Sequence, residues 1–496
     1  YRTTVANAVT WSQGAGATVF GVSTLMAQQG TVSSVAGQSF TLTTATSADV
    51  VYGTAGNDTI TGTDASLNSD IIVDGSSTDN DTLTINARAF QNTVTTAGST
   101  ISGIENIRVN YDTLTNSTLN LAGVSGVSNV TVANVRDGAT ALVTISNAKG
   151  GTVINAGSGL GGGLTVTTDA DDRSITVNSA GVTGTTTVTT TGTGSITANS
   201  GTDALTLSSA KGNITVTAAG AATGTLQATA SDIGVVSVTA AAATGTVTGQ
   251  SAKGNVTVTA DAAATVSAIA TAATAVAHAN AATSITATGK SVTVTSANVG
   301  TTAVPTVIAV NGTATAGQTD TATVTANGVV TLTNNANLEA LNLSGNTAAV
   351  TYTLAASENI TVTGAQAVTL SGTEAVLSAS VVTNSATGTV TANVTDAGTG
   401  ADYSKVAANA IKHAVAVGAG TYTYANGQNV TLAANPGGTI TLDINDNDAA
   451  TSVAGSLNVT LSANTTAQVN VNNTADQIDT LNISAAVAQT ALDVRA

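Results

Sequence analysis

Of the 496 residues 42% are hydrophobic, yet only 2% are aromatic and 8% charged, so the apolar fraction is mostly Ala and Val and any core must be thin. A net charge of −16, from 12 basic against 28 acidic residues, lacks the electrostatic footprint of a nucleic-acid binder and makes divalent cations the more natural partners. The absence of Cys excludes a disulfide framework and thiolate metal sites, and no apolar run reaches the roughly 18 residues of a membrane span.

Residues 1–48 hold Trp11, Phe20 and Phe40 and read as an N-terminal cap or an assembly arm. The chain starts at Tyr1 without the charged, apolar and small-residue succession of a signal peptide. That pattern fits a processed chain, a different export signal, or part of a longer chain.

Residues 49–135 carry the most informative motif. GTAGNDTIT, from Gly53, fits the calcium nonapeptide G-G-x-G-x-D-x-U-x, with Thr54 at the second position and Ile60 as the inward apolar residue. DGSSTDNDTLTI repeats it loosely, with Asp81 and Leu83 at the corresponding points and Asp79 two residues before. Glycine allows a tight turn that presents carbonyls inward, and a carboxylate completes an oxygen cage for a hard cation. Two carboxylates ~4 Å apart repel by about 4 kcal/mol at an effective dielectric of 20, a penalty that calcium would remove.

These units, followed by TISGIENIRVN at 100–110 and then STLNLAGVSGVSNVTV, resemble the assembly region of Caulobacter-type bacterial surface-layer proteins and related type I-secreted surface proteins with RTX repeats. The sequence-specific match is confined to roughly 40–135. The resemblance implies a β-solenoid subunit that polymerises into a two-dimensional sheet with Ca²⁺ and is held on the outer membrane through lipopolysaccharide. It places the cation at Asp58 and Asp81, with carbonyls near Gly53 and Gly56. Two family features are absent from this sequence: an N-terminal helical anchoring region, and a tandem RTX block near a C-terminal secretion signal.

From 136 to 400 short alternating runs such as GLTVTTD and RSITVNSA recur about every ten residues, the pattern of strands punctuated by turns. SAKGNITVTAAGAATGT at 209 returns as SAKGNVTVTADAAATVS at 251, two units of about 21 residues. A fixed period near 20 predicts an all-β, elongated β-solenoid (β-helix) with two strands and about 20 residues per coil. The alternative is a tandem of Thr-rich β-sandwiches, which would need longer, irregular turns and aromatic core residues. TVT and TIT triplets abound but drift in register along the sequence, as outward strand threonines do, which argues against an ice-binding face. In TTDADDRS, Arg173 can neutralise the cluster Asp169, Asp171 and Asp172 without a metal.

Residues 401–496 form a C-terminal β region. Ala and Lys at helical spacing over 401–416 predict a short helical elbow, and TYTYANGQNVTLAAN reads as a hairpin about an Asn-Gly turn. LDINDNDAA offers Asp443, Asp446 and Asp448 as a second candidate calcium site. Only His278 and His413 are present, neither beside a triad partner or a second metal ligand, so no catalytic constellation is readable. The whole predicts a non-enzymatic, extracellular structural protein of the bacterial cell surface, assembling with itself into a calcium-dependent layer. The alternative is a filament or matrix adhesin.

Overall fold

The computed structural model describes residues 36–495 except 45–46, 68, 77, 137–139, 158, 171–172, 202, 298–304, 315–317, 446–454, 465–467, 472–477 and 490–492. The chain winds as a parallel β-solenoid of about 20 turns, with about 21 residues per coil and almost no helix. Among the described residues every strand pairing is parallel, and strands inside each ladder bond to their equivalents one coil before and one coil after. Period-2 patterning produces this directly. In Ile214–Ala218, for example, Ile214, Val216 and Ala218 point inward while Thr215 and Thr217 face solvent.

Two long ladders run along the rod. One is a 17-stranded sheet from Ser39–Thr41 to Val381–Asn384; the other has 19 strands, from Thr93–Thr95 to Ile478–Ala485. Thr93–Thr95 and Ile478–Ala485 do not pair with each other, so the second ladder is open and does not close into a barrel. Among the described residues a third face is formed near the N-terminus alone, by the short strands Val50–Tyr52, Ile71–Val73, Thr100–Ser102 and Val124–Ser125. The cross-section is therefore three-sided at first and flattens to two sheets beyond about residue 150.

Core side chains follow that change. Ile72, Leu83, Ile85, Ile101, Ile104 and Leu119 fill the three-sided coils, whereas Ala228, Ala268, Ala275, Ala277 and Ala287 line the flat ones. Small side chains are what two closely apposed sheets admit.

The SAKGN repeat is a corner between the two long sheets. Ser209 and Ser251 are buried; each hydroxyl donates to the carbonyl of a glycine one coil earlier (Gly194 at 3.2 Å, Gly234 at 2.7 Å) and accepts the N–H of Gly212 or Gly254. A Cβ on Gly212, Gly234 or Gly254 would sit 2.1–2.2 Å from the carbonyl oxygen of the glycine below, so this column admits no side chain. Asn213 and Asn255 accept the N–H of Val235 and Thr274 in the following coil. Lys253 pairs at 2.6 Å with Asp232, which lies on the coil between the two lysine repeats.

Outside, asparagines stack in register: Asn155, Asn178 and Asn199 are linked by side-chain amide hydrogen bonds of 2.8 Å, and Asn429, Asn458 and Asn482 form a second ladder. The threonines do not drift as the sequence implied. Thr93, Thr118, Thr144, Thr165, Thr187 and Thr206 occupy one outward row on six successive coils, because turn-length differences absorb the irregular spacing.

Two local expectations are overturned. No helix occurs at 401–416: Ala410–His413 is a strand of the 19-stranded sheet, and the described helix, Glu374–Ala379, lies one coil earlier. The interruption is nevertheless real, since the 17-stranded sheet ends there. Single bridges Val382–Val406 and Asp402–Thr423 hand that face to a four-stranded sheet beginning at Gly420–Ala425. Tyr403, His413, Tyr422 and Tyr424 fill the cross-section at the junction, with Tyr403 stacked on Tyr424 at 5.7 Å. The predicted hairpin is a coil corner instead. Gly427 adopts φ +76° at the turn, but Gly420–Ala425 and Gln428–Leu432 belong to different sheets and pair with neighbouring coils, not with each other.

Candidate metal centre

Carboxylates gather where the chain enters strands of the three-sided coils. Asp58, Asp81 and Glu105 immediately precede Thr59–Gly62, Thr82–Asn86 and Asn106–Tyr111, which are stacked in register. Here the sheet ladder has not yet begun, and side chains take its place. Asp58 accepts the N–H of Gln38 at 2.6 Å, Asp81 that of Asp58 at 2.7 Å, and Glu105 that of Asp81 at 2.9 Å. The same device joins Asp70 to the N–H of Asp49 at the third face, and Glu339 to the N–H of Asp320 farther along. An acid ahead of a strand thus has a structural use, satisfying a backbone donor one coil away.

That use leaves several oxygens over. Asp74, just after Ile71–Val73, accepts the N–H of Ser76 with Oδ2 at 2.6 Å, but Oδ1 is buried without a hydrogen-bond partner. Oδ2 of Asp81 and both carboxylate oxygens of Asp79 are buried and unpartnered as well. Asp58, Asp74 and Asp81 are 1%, 6% and 0% exposed, and each offers an oxygen within 4.8 Å of the others. Gly53 makes the convergence possible: a Cβ there would lie 2.3 Å from Asp74 Oδ1 and 2.8 Å from Asp58 Oδ2.

No Lys or Arg forms an ion pair with these carboxylates among the described residues. Burial, reinforced by the charges of Asp79, Asp58 and Glu105, holds the Asp74 carboxyl above its usual range against the opposing Ser76 N–H. Burial likewise pushes Asp81 up to about 6, with the charges of Asp74, Asp79 and Asp58 adding to it and the Asp58 N–H opposing. Hard, buried, mutually repelling oxygens with free lone pairs could hold a hard divalent cation.

The sequence-predicted residues divide accordingly. Asp58, Asp79 and Asp81 come together here, and Ile60 and Leu83 lie opposite each other in the core below them. Gly53 serves by making room, while the Gly56 carbonyl accepts the Thr54 hydroxyl at 3.3 Å. The Asp58 carboxylate also takes the N–H and hydroxyl of Thr54, which ties down its own turn. Asp443 stands apart on Ile440–Asn445, its Oδ1 accepting the adjacent Ile444 N–H; Asp446 and Asp448 lie outside the described residues. Asp169 pairs with Lys149 at 2.7 Å, and Asp171 and Asp172 also lie outside the described residues.

Sequence reading missed Asp74 and Glu105. For Glu105 the signal is coil spacing: Asp58, Asp81 and Glu105 are 23 and 24 residues apart, each directly ahead of an alternating run. The histidines are structural in placement. His413 is buried against Tyr424 Oη at 3.0 Å, and burial pushes its pKa down to about 4. His278 lies 3.5 Å from Asp261 of the preceding coil on the exposed face.

No protein-family model and no curated protein sequence matches this chain. Among the described residues no helix is long and apolar enough to cross a membrane.

Proposed function

We propose that this chain is a non-catalytic structural subunit of a calcium-dependent, self-assembling bacterial surface layer on the cell exterior. The observation that carries the calcium dependence is the set of buried, unpartnered oxygens on Asp74, Asp79 and Asp81, gathered without a basic partner. An ion held by Asp58, Asp74 and Asp81 ties two successive coils to the turn between them and fixes the shape of the three-sided segment. The long outward faces support the structural role. They present Thr, Ser and Asn in rows, with hydroxyls and amides able to bond another copy and little charge to oppose close approach. Lipopolysaccharide remains the proposed anchor, on the family resemblance of residues 40–135 alone.

Electron microscopy of the purified chain in millimolar calcium, and again after chelation, tests the reading. A planar lattice that disperses on chelation is expected, and Asp74→Asn should assemble poorly at the same calcium concentration. Chelator-resistant fibres would shift the reading to a filament or adhesin, and a monomer under every condition would overturn both.

A further inference from the structure

The acidic corner contains a second group of three. Asp79, Asp81 and Glu105 also place an oxygen each within 4.8 Å of one another, and Asp81 belongs to both groups. We propose that Asp79, Asp81 and Glu105 hold a second divalent cation beside the first, with Asp81 bridging the two; this rests on the calcium reading of Asp58, Asp74 and Asp81. Neither Asp79 nor Glu105 occupies the aspartate position of the nonapeptide, so the second ion does not follow from that motif.

Three observations carry the proposal. Asp81 is fully buried and its Oδ2 has no hydrogen-bond partner, so one oxygen of the shared residue is committed to the Asp58 N–H and the other is open. Neither oxygen of Asp79 has a protein partner although both are shielded from solvent, a costly arrangement for a carboxylate unless something else meets them. Glu105 spends Oε2 on the Asp81 N–H and keeps its other oxygen.

Charge balance points the same way. Five carboxylates (Asp58, Asp74, Asp79, Asp81 and Glu105) face one corner, and one divalent ion would leave three negative charges uncompensated there. A second ion leaves one. Carboxylates bridge hard cations readily, and calcium completes its shell of six to eight oxygens with carbonyls and water. The first ion joins the coils of Asp58 and Asp81, and the second joins those of Asp81 and Glu105. Together they pin three consecutive coils at one corner.

Equilibrium dialysis of the full chain against calcium alone counts the ions. The expected result is two per chain in the wild type, one in Asp79→Asn and one in Asp74→Asn. Asp79→Asn is the clean variant because its carboxylate accepts no hydrogen bond in the fold. Glu105→Gln, which keeps an acceptor for the Asp81 N–H, is the second, and circular dichroism checks that each retains its β signal. A wild type binding one ion, with Asp79→Asn and Glu105→Gln unchanged at one, overturns the second ion and leaves the calcium reading standing. A wild type binding none overturns both.

Discussion

The first coils and the middle coils use the same winding rule to opposite ends. Between Val50 and Asn134 the chain makes three faces around Ile, Leu and Tyr111, and its corners hold buried acids. Between Ile196 and Ser296 it makes two faces around Val and Ala, and its corners hold glycine, serine and paired charges. The number of faces sets the width of the interior, and the width sets side-chain size. The candidate centre belongs to the wide segment because the turn after the third face brings Asp74 against Asp58 and Asp81; among the described residues, groups of three acids with oxygens within 4.8 Å of one another occur there alone.

The contrast can be broken by substitution. Because each coil contacts only its neighbours, effects should be read locally, by hydrogen exchange, and not from a single global transition. The largest effect is expected for Ile101→Ala, which empties a fully buried site in the wide segment and should lower the local opening free energy by about 2–5 kcal/mol. A loss below about 1 kcal/mol would mean that the three-sided core is loosely packed. Gly249→Ala tests the narrow segment from the other side. Its new methyl would meet Val258 Cγ2 at 2.9 Å and Val256 Cγ1 at 3.0 Å, so overpacking by about 1–3 kcal/mol is expected over Val236–Thr259. Slower exchange there would show that the two sheets still have room.

The smallest effect is a pH dependence beyond the narrow segment. Glu358, ahead of Asn359–Val362, is pushed up to about 7, chiefly by burial, with the charge of Glu339 adding and hydrogen bonds from Tyr352 and Asn334 opposing. The fold therefore keeps a proton that the unfolded chain releases near its ordinary value of 4.5. Its contribution is fully present below 4.5 and lost as the pH climbs through about 7. The protection factor near Glu358, with the intrinsic pH dependence of exchange divided out, should fall across that window in the wild type and stay level in Glu358→Gln; parallel profiles would assign the dependence to another group.

Much of the fold could be read from residues because its two signals are local and repeated. Inward Ile, Val or Ala alternates with outward Thr in nearly every run, and the SAKGN corner recurs. The third face escaped because strands of three residues, such as Ile71–Val73, are too short to show alternation. The Asn426-Gly427 turn was recognisable as a turn, but nothing in it says whether the strands it joins pair or part. In a solenoid they part, since each finds its partner a coil away. Residues 401–416 misled through Ala and Lys at helical spacing, a weak propensity overridden by packing around His413 and three tyrosines. The centre was half legible for the same reason as the hairpin. Asp58, Asp79 and Asp81 sit in a motif, whereas Asp74 and Glu105 join them only through winding.

The alternation of Lys211, Asp232 and Lys253 along one edge gives the solenoid a step size. The charges at that corner alternate over these three coils, so their pattern, like the sequence repeat, spans two coils. Removing the Asp232 coil would bring Lys211 and Lys253 onto neighbouring coils and take from Lys253 its partner.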